Sequence, residues 1–305
     1  MSNNRLIWLN GEIMKVEDAK INVLSPTAQF GANVFEGIRC YWNDEKQVLY
    51  AFRLDDHYKR LLNSMKMFRM EMRFTVNDFK KALIDIVKAN EYKEDIAVRQ
   101  TVFIDGFGSW FSEGPIGMFL APIPKGRTLL ENKDGYSACV SSWERISDRN
   151  ISPRVKVGAN YINSRMAQLE AKRNGYDTAV FMNSQGKVSE GPGSCIFIVR
   201  EGKLHTPLLT DSVLESITRD TVIKIAKKIL HIDVLERTVD RTELYISDEV
   251  FLCGSAMEIV PIVSVDGISI GSNSEGLITK QLRETYLDVV KSNITLEENW
   301  LISIY

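Results

Sequence analysis

Apolar and polar residues alternate along this chain with two periods, one of two residues and one near 3.6, and the switches between them map its elements. Leu6-Ile-Trp-Leu9 and Glu12-Ile-Met-Lys-Val16 flank the turn dipeptide Asn10-Gly11, a strong two-residue hairpin signal. A second hairpin is predicted from Val34-Phe-Glu-Gly-Ile-Arg-Cys-Tyr-Trp42 through Asn43-Asp-Glu-Lys46 to Gln47-Val-Leu-Tyr-Ala-Phe52, alternating as half-buried sheet does. The period then lengthens. Tyr58, Leu61, Leu62, Met65 and Phe68 recur at helical spacing after the capping candidates Asp55 and Asp56, and residues 77–89 predict a second helix. Strands over residues 96–104 and 116–121 complete this part.

Prolines and a glycine interrupt both periods in Pro122-Ile-Pro-Lys-Gly-Arg127, which makes this stretch and the polar residues after it the linker candidate. The expected division is a small N-terminal α/β domain over residues 1–124, a linker over 125–134 and a larger domain over 135–305. Beyond the linker, a strand over 138–143 leads to a helix over 161–174, closed by Gly175 with Lys172 and Arg173 in its last turn. Thr178-Ala-Val-Phe-Met182, Lys187-Val-Ser-Glu190, Ser194-Cys-Ile-Phe-Ile-Val199 and Lys203-Leu-His-Thr206 follow, separated by turn residues, and read as an antiparallel meander. This is not the pattern of a doubly wound nucleotide fold, and no internal repeat or low-complexity tract is present.

With 305 residues, 44% of them apolar, the chain can bury a sizeable core in one large or two medium domains. A net charge of −2 gives no electrostatic reason to expect nucleic acid or anionic lipid, which leaves a small molecule as the expected ligand. The first residues lack the charged start and apolar run of a signal peptide, and no stretch is long enough to span a membrane, so a cytoplasmic protein is expected. Cys40, Cys139, Cys195 and Cys253 form no C-x-x-C pair; buried thiols are expected, and no metal site.

Candidate chemistry begins in residues 212–229. Val222, Ile225, Ala226 and Ile229 make an apolar face, Asp220 falls in the first turn, and Lys227 and Lys228 fall in the last. A helix starting near Ile217 or Thr218 offers backbone N–H groups to an anion, although a Ser/Thr cap without a ligand leaves the same trace. Lys156, between two valines in Arg154-Val-Lys-Val-Gly-Ala-Asn-Tyr161, is a candidate for Schiff-base chemistry or an exposed position of an alternating strand. Glu190, entering the loop Gly191-Pro-Gly193, is a candidate carboxylate or a solvated turn residue.

Seven phrases in order tip the balance: Val34-Phe-Glu-Gly-Ile-Arg-Cys-Tyr41, His57-Tyr-Lys-Arg-Leu61, Val140-Ser-Ser-Trp-Glu-Arg145, Gly158-Ala-Asn-Tyr161, Ser189-Glu-Gly-Pro-Gly193, Ile217-Thr-Arg-Asp220 and Asp248-Glu-Val-Phe-Leu-Cys-Gly-Ser-Ala256. Over nearly its whole length the chain resembles the branched-chain aminotransferases, class IV enzymes of pyridoxal-phosphate fold type IV. The resemblance implies an α/β (α+β) fold, in which a small N-terminal α/β domain precedes a larger C-terminal domain with a mixed, pseudo-barrel-like sheet, and it implies pyridoxal 5'-phosphate (PLP) as cofactor. It makes Lys156 the Schiff-base lysine and proton shuttle, and sets Glu190 against the pyridine nitrogen. Arg60, the N–H groups of Ile217 and Thr218, and Ser255 would hold the phosphate, and Tyr161 the phenolic oxygen. Ser255 and Ala256 would receive the substrate α-carboxylate, Phe35 would line the side-chain pocket, and Arg99 would meet the distal carboxylate of glutamate or 2-oxoglutarate. The implied reaction is ping-pong transamination between leucine, isoleucine or valine and a 2-oxo acid, by a homodimer or higher homo-oligomer.

Three departures fall near the substrate. Phe30 and Ala97 stand where the family usually has tyrosines, and Leu214-Glu-Ser-Ile217 replaces Leu-Pro-Gly-Ile. Losing a hydrogen bond to an anionic group weakens binding by roughly 1.5–3 kcal/mol. Glu215 is expected to point away from the phosphate. The same cofactor residues also suit a transaminase for an aromatic or D-amino acid or an (R)-amine, a PLP-dependent lyase such as aminodeoxychorismate lyase, and a binding protein that keeps the fold without turnover.

Overall fold

Asn10 and Gly11, with φ of 50° and 105°, form the whole turn between β1 (Leu6–Leu9) and β2 (Glu12–Lys15), since Leu9 pairs directly with Glu12. The computed structural model describes residues 5–127, 135–297 and 299–305, and its packing divides the chain into two compact units. Met1–Gly126, Val155–Ala159 and Val290–Tyr305 form the first; Arg127–Arg154 and Asn160–Val289 form the second. Of the expected linker, residues 128–134 lie outside the described residues.

The first unit is built on a seven-stranded antiparallel sheet in the order β15-β4-β3-β5-β6-β1-β2, where β3 is Asn33–Asn43, β4 Val48–Phe52, β5 Ile96–Ile104, β6 Ile116–Pro124 and β15 Leu301–Ser303. The short helix α1 (Pro26–Phe30) precedes it, and α2 (Leu54–Met67) and α3 (Val76–Asn90) cover one face. The expectation of half-buried alternation in β3 is corrected: almost every position is buried. Val34, Ile38, Cys40 and Trp42 enter the core beneath the helices. On the opposite face Tyr41 meets Phe52 edge-on at 6.4 Å, and Phe52 meets Trp300 at 5.7 Å, so the C-terminal segment covers it.

Asp55 and Asp56 do not cap α2. Arg53 is its N-cap residue, in a left-handed conformation with φ 52°, and the aspartates sit in the first turn, where the helix dipole favours them. Thr75 caps α3 through a capping box with Asp78. The prolines expected to end β6 lie within it. Pro122 and Pro124 stand opposite Val98 and Ile96 of β5, while β1 reaches only Phe119 and Leu120, so they interrupt no second ladder.

The second unit carries an eight-stranded sheet in the order β11-β10-β9-β12-β13-β7-β8, with β14 beside β13. Here β7 is Tyr136–Glu144, β8 Thr178–Met182, β9 Cys195–Arg200, β10 Lys203–Thr206, β11 Val234–Glu236, β12 Glu249–Gly254, β13 Glu258–Val265 and β14 Ile268–Ser269. The helices are α4 (Tyr161–Arg173), α5 (Ile217–Lys228), α6 (Arg241–Tyr245) and α7 (Leu277–Val290). The four-strand meander is corrected. β7 and β8 are parallel with α4 in their connection, β8 is an edge strand that does not pair with β9, and residues 187–190 make only isolated bridges, Val188 to Met182 and Lys187 to Asp240. A parallel neighbour needs a long crossover, and α4 supplies it while burying Ala167 and Ala171 against Cys139, Ala179 and Phe181. All four cysteines are buried free thiols. Among the described residues no helix is long and apolar enough to cross a membrane, and no group of three His, Cys, Asp or Glu side chains could hold a metal.

Candidate active site

Lys156 packs with the first unit. Val155 and Val157 enter the core, which turns Lys156 the other way. The predicted strand around it shrinks to a single bridge, Val34 to Val157, followed by a tight helical turn at Gly158–Asn160. Its backbone is nonetheless pinned: Phe35 N–H donates to Lys156 O at 2.9 Å, and Lys156 N–H donates to Ser64 Oγ of α2 at 3.2 Å. Gly158 passes so close to Asn33 that an added Cβ would lie 2.6 Å from Oδ1.

Phe35 organises this cluster. Its buried ring has Arg99 Cζ at 4.0 Å and Lys156 Nζ at 5.2 Å from the centroid. Arg99 lies on β5 opposite Gly37, and Ala97 lies two residues earlier on the same face, opposite Arg39. Phe30 ends α1 and is half exposed. Arg60 on α2 meets Glu36, the carboxylate on the helix-facing side of β3, with Nε 2.7 Å from Oε1 and Nη2 2.6 Å from Oε2. His57 adds Nδ1 at 2.7 Å from Oε2. Burial opposes charge on Glu36, yet Arg60 and His57 hold its pKa far below the carboxylate range.

In the second unit, Glu190 is buried with both oxygens fixed. Arg145 donates to Oε1 from Nε at 2.9 Å and Nη2 at 2.7 Å, and Leu214 N–H donates to Oε2 at 3.2 Å, with Cys195 Sγ 3.8 Å away. Ile217 and Thr218 are the first residues of α5, and Ser216 caps it by accepting Arg219 N–H at 3.2 Å. Glu215 turns out to Arg154, whose Nε is 3.0 Å away, while Asp220 stands in the first turn of the helix. Ser255 and Ala256 occupy the turn between β12 and β13. Tyr161 heads α4 and lines an open cavity of about 380 Å³ with Pro192 and Gly193. The first unit also has a cavity of about 520 Å³, but Trp8, Phe74 and Met118 line it and none of the candidate residues does.

The sequence reading assigned no role to Glu36, His57, Arg145, Cys195 or Ser64. Two signals were present. Glu36 is a charge on the apolar side of an alternating strand, and His57 and Arg60 are three residues apart on one helix face.

A buried carboxylate fixed by an arginine and a serine-capped helix start in one unit, and in the other a pinned lysine and an arginine on one aromatic ring, are the kinds of group a PLP-dependent transaminase uses. The chain belongs to the amino-transferase class IV family, whose model matches residues 33–265. It is 39% identical over 302 residues to the probable branched-chain-amino-acid aminotransferase of Aquifex aeolicus, covering 98% of this chain and 96% of that one. Among solved structures it is similar to the branched-chain amino acid aminotransferase of Thermobaculum terrenum in its PLP form, with TM-score 0.94 and 44% identity over 100% of both chains. It is also similar to the branched-chain aminotransferase of the archaeon Thermoproteus uzoniensis with norvaline, with TM-score 0.93 and 42% identity over 98% of this chain and 99% of that one. The fold is the class IV aminotransferase fold, and the cofactor is PLP. The residues present fit it: a primary amine on a fixed backbone, a carboxylate secured by an arginine, and a helix N-terminus that suits a phosphate dianion.

Proposed function

We propose that this chain transfers the amino group of a branched-chain aliphatic L-amino acid to 2-oxoglutarate. The observation that carries this reading is the Phe35 cluster, which gathers an amine, a carboxylate-binding cation and a buried apolar ring within about 5 Å. An aliphatic donor needs the ring, and a dicarboxylate acceptor needs Arg99.

When bound, PLP supplies an electron sink at the substrate α-carbon and carries the amino group between two half-reactions. Lys156 anchors the cofactor and moves the substrate's α-proton. Glu190, held in place by Arg145, keeps a proton on the ring nitrogen. Arg60, the Ile217 and Thr218 N–H groups and Ser255 bind the phosphate, and Tyr161 donates to the phenolic oxygen. Ser255 and Ala256 present N–H groups to the α-carboxylate, while Phe35, with Phe30 and Ala97 nearby in the pocket wall, contacts the side chain. The proposal includes a cytoplasmic homodimer. It also divides the chain into residues 1–124, a connection over 125–134 and a PLP-binding domain over 135–305, from which residues 155–159 and 290–305 return to pack with the first unit.

The test is an absorbance spectrum of the purified protein, followed by a screen of amino donors against 2-oxoglutarate. Bound PLP with turnover of leucine, isoleucine or valine is expected. Release of ammonia or pyruvate without any acceptor would replace the reading with a lyase.

A further inference from the structure

Glu36 is out of place by hydrophobic patterning. The neighbouring positions on its side of β3, Val34, Ile38 and Cys40, are apolar and fully buried, and Glu36 itself has no exposure. A carboxylate in such a setting is costly unless its oxygens are occupied. Here they are: Arg60 grips both through Nε and Nη2, and His57 Nδ1 reaches Oε2 at 2.7 Å. Because an ionised carboxylate only accepts, His57 donates from Nδ1. Burial, together with the nearby cations Arg60 and Lys156, lowers the His57 pKa and favours the neutral ring.

Stability alone is a weak reason for this cluster, since apolar side chains in place of a buried ion pair are often neutral or better. Orientation is a stronger one. Two parallel hydrogen bonds on one edge of a guanidinium fix both its plane and its direction, which a single bond to a mobile side chain does not. We infer that Glu36 is a positioning residue for the cofactor phosphate: it holds Arg60 in one orientation, and His57 secures Glu36 in turn. The inference rests on the proposed reading of Arg60 as a phosphate ligand.

The experiment titrates the full chain, stripped of cofactor, with PLP and records the phosphorus NMR line of the bound phosphate. Wild type is compared with Glu36→Gln, Arg60→Met and the double variant. Arg60→Met is expected to raise the Kd for PLP by roughly tenfold or more, and Glu36→Gln by about fivefold or more with the line displaced toward that of free PLP. The double variant, which leaves no unpaired charge in the core, should match Arg60→Met within about twofold, because Glu36 acts through Arg60. Should Glu36→Gln fail to fold, the double variant against Arg60→Met decides alone. An unchanged Kd in Glu36→Gln beside a raised Kd in Arg60→Met overturns the positioning role and leaves the phosphate reading standing. An unchanged Kd in Arg60→Met removes the phosphate reading and the inference with it. A double variant weaker than Arg60→Met by more than about tenfold shows Glu36 acting independently of Arg60, and also overturns the inference.

Discussion

Arg145 places two nitrogens on the same oxygen of Glu190, Nε at 2.9 Å and Nη2 at 2.7 Å from Oε1, and leaves Oε2 to the Leu214 N–H at 3.2 Å. Glu190 is therefore fixed in direction. A neutral amide in its place keeps the shape and loses the charge that, in the proposed role, holds a proton on the ring nitrogen. Glu190→Gln is expected to bind PLP and to slow the first half-reaction about a hundredfold or more. Single-turnover absorbance with leucine reads this directly, and wild-type rates in the variant would remove Glu190 from its role.

Lys156→Ala removes the amine that lies over the Phe35 ring. Turnover should vanish, and borohydride treatment followed by peptide mass analysis should find no cofactor attached to residues 155–159. A cofactor-bearing lysine elsewhere would show that the assignment is wrong. Val155 and Val157 stay in the core, so the melting temperature should change little.

Acid should loosen the protein through carboxylates held below their ordinary pKa. Glu243 is the clearest case: the hydrogen bond from Arg237 is the largest cause of a fall from 4.5 to about 2, with Arg200 and the Asp240 N–H assisting. A depressed pKa gives stability that is present above the unfolded value and is lost as pH falls toward the folded one. Glu36 acts in the same sense over a window reaching lower, and His57, also depressed, acts below about 6.5. Urea midpoints followed by tryptophan fluorescence should therefore begin to drop below about pH 6.5 and fall further below 4.5, and Glu243→Gln should be less stable at neutral pH with a shallower slope below 4.5. Parallel slopes for the two proteins would contradict this account.

Elements held by local rules were legible in the sequence. The Asn10-Gly11 hairpin, the α3 helix and β5 follow from turn chemistry and periodicity, and β5 occupies the predicted residues. Long-range pairing was not legible. Nothing in Thr178-Ala-Val-Phe-Met182 states that its partner is β7 in parallel rather than the next strand, because alternation describes faces and not neighbours. The candidate residues lay in recognisable phrases, but Arg145 and Glu36 gain meaning only from the side chains that folding brings to them. Both are charges without partners in the linear sequence.

Phe30 and Ala97 stand where the family resemblance leads one to expect tyrosines. Ala97 is half-buried on β5, between Arg39 and Ile123 on the flanking strands and two residues before Arg99 on the same face. Phe30 closes α1 half exposed. Neither side chain can donate a hydrogen bond, so on the proposed reading the pocket wall gains space at one position and loses polarity at the other. If the loss only weakens carboxylate binding, it costs about 1.5–3 kcal/mol, which is roughly tenfold or more in KM. Ala97→Tyr should then lower KM for leucine and leave the order of donors unchanged, because the proposal leaves Arg99 and the Ser255-Ala256 turn to receive carboxylates. That is the expected outcome. If the changes instead mark another substrate, the wild-type profile itself is displaced toward a bulkier donor, or one without a carboxylate, and a new hydroxyl at position 97 cannot restore a preference for leucine. The measurement is kcat/KM for leucine, phenylalanine and a simple (R)-amine in both proteins. A wild-type preference above about tenfold for either non-aliphatic donor would retire the branched-chain assignment, and the transaminase chemistry of Lys156 and Glu190 would stand without it.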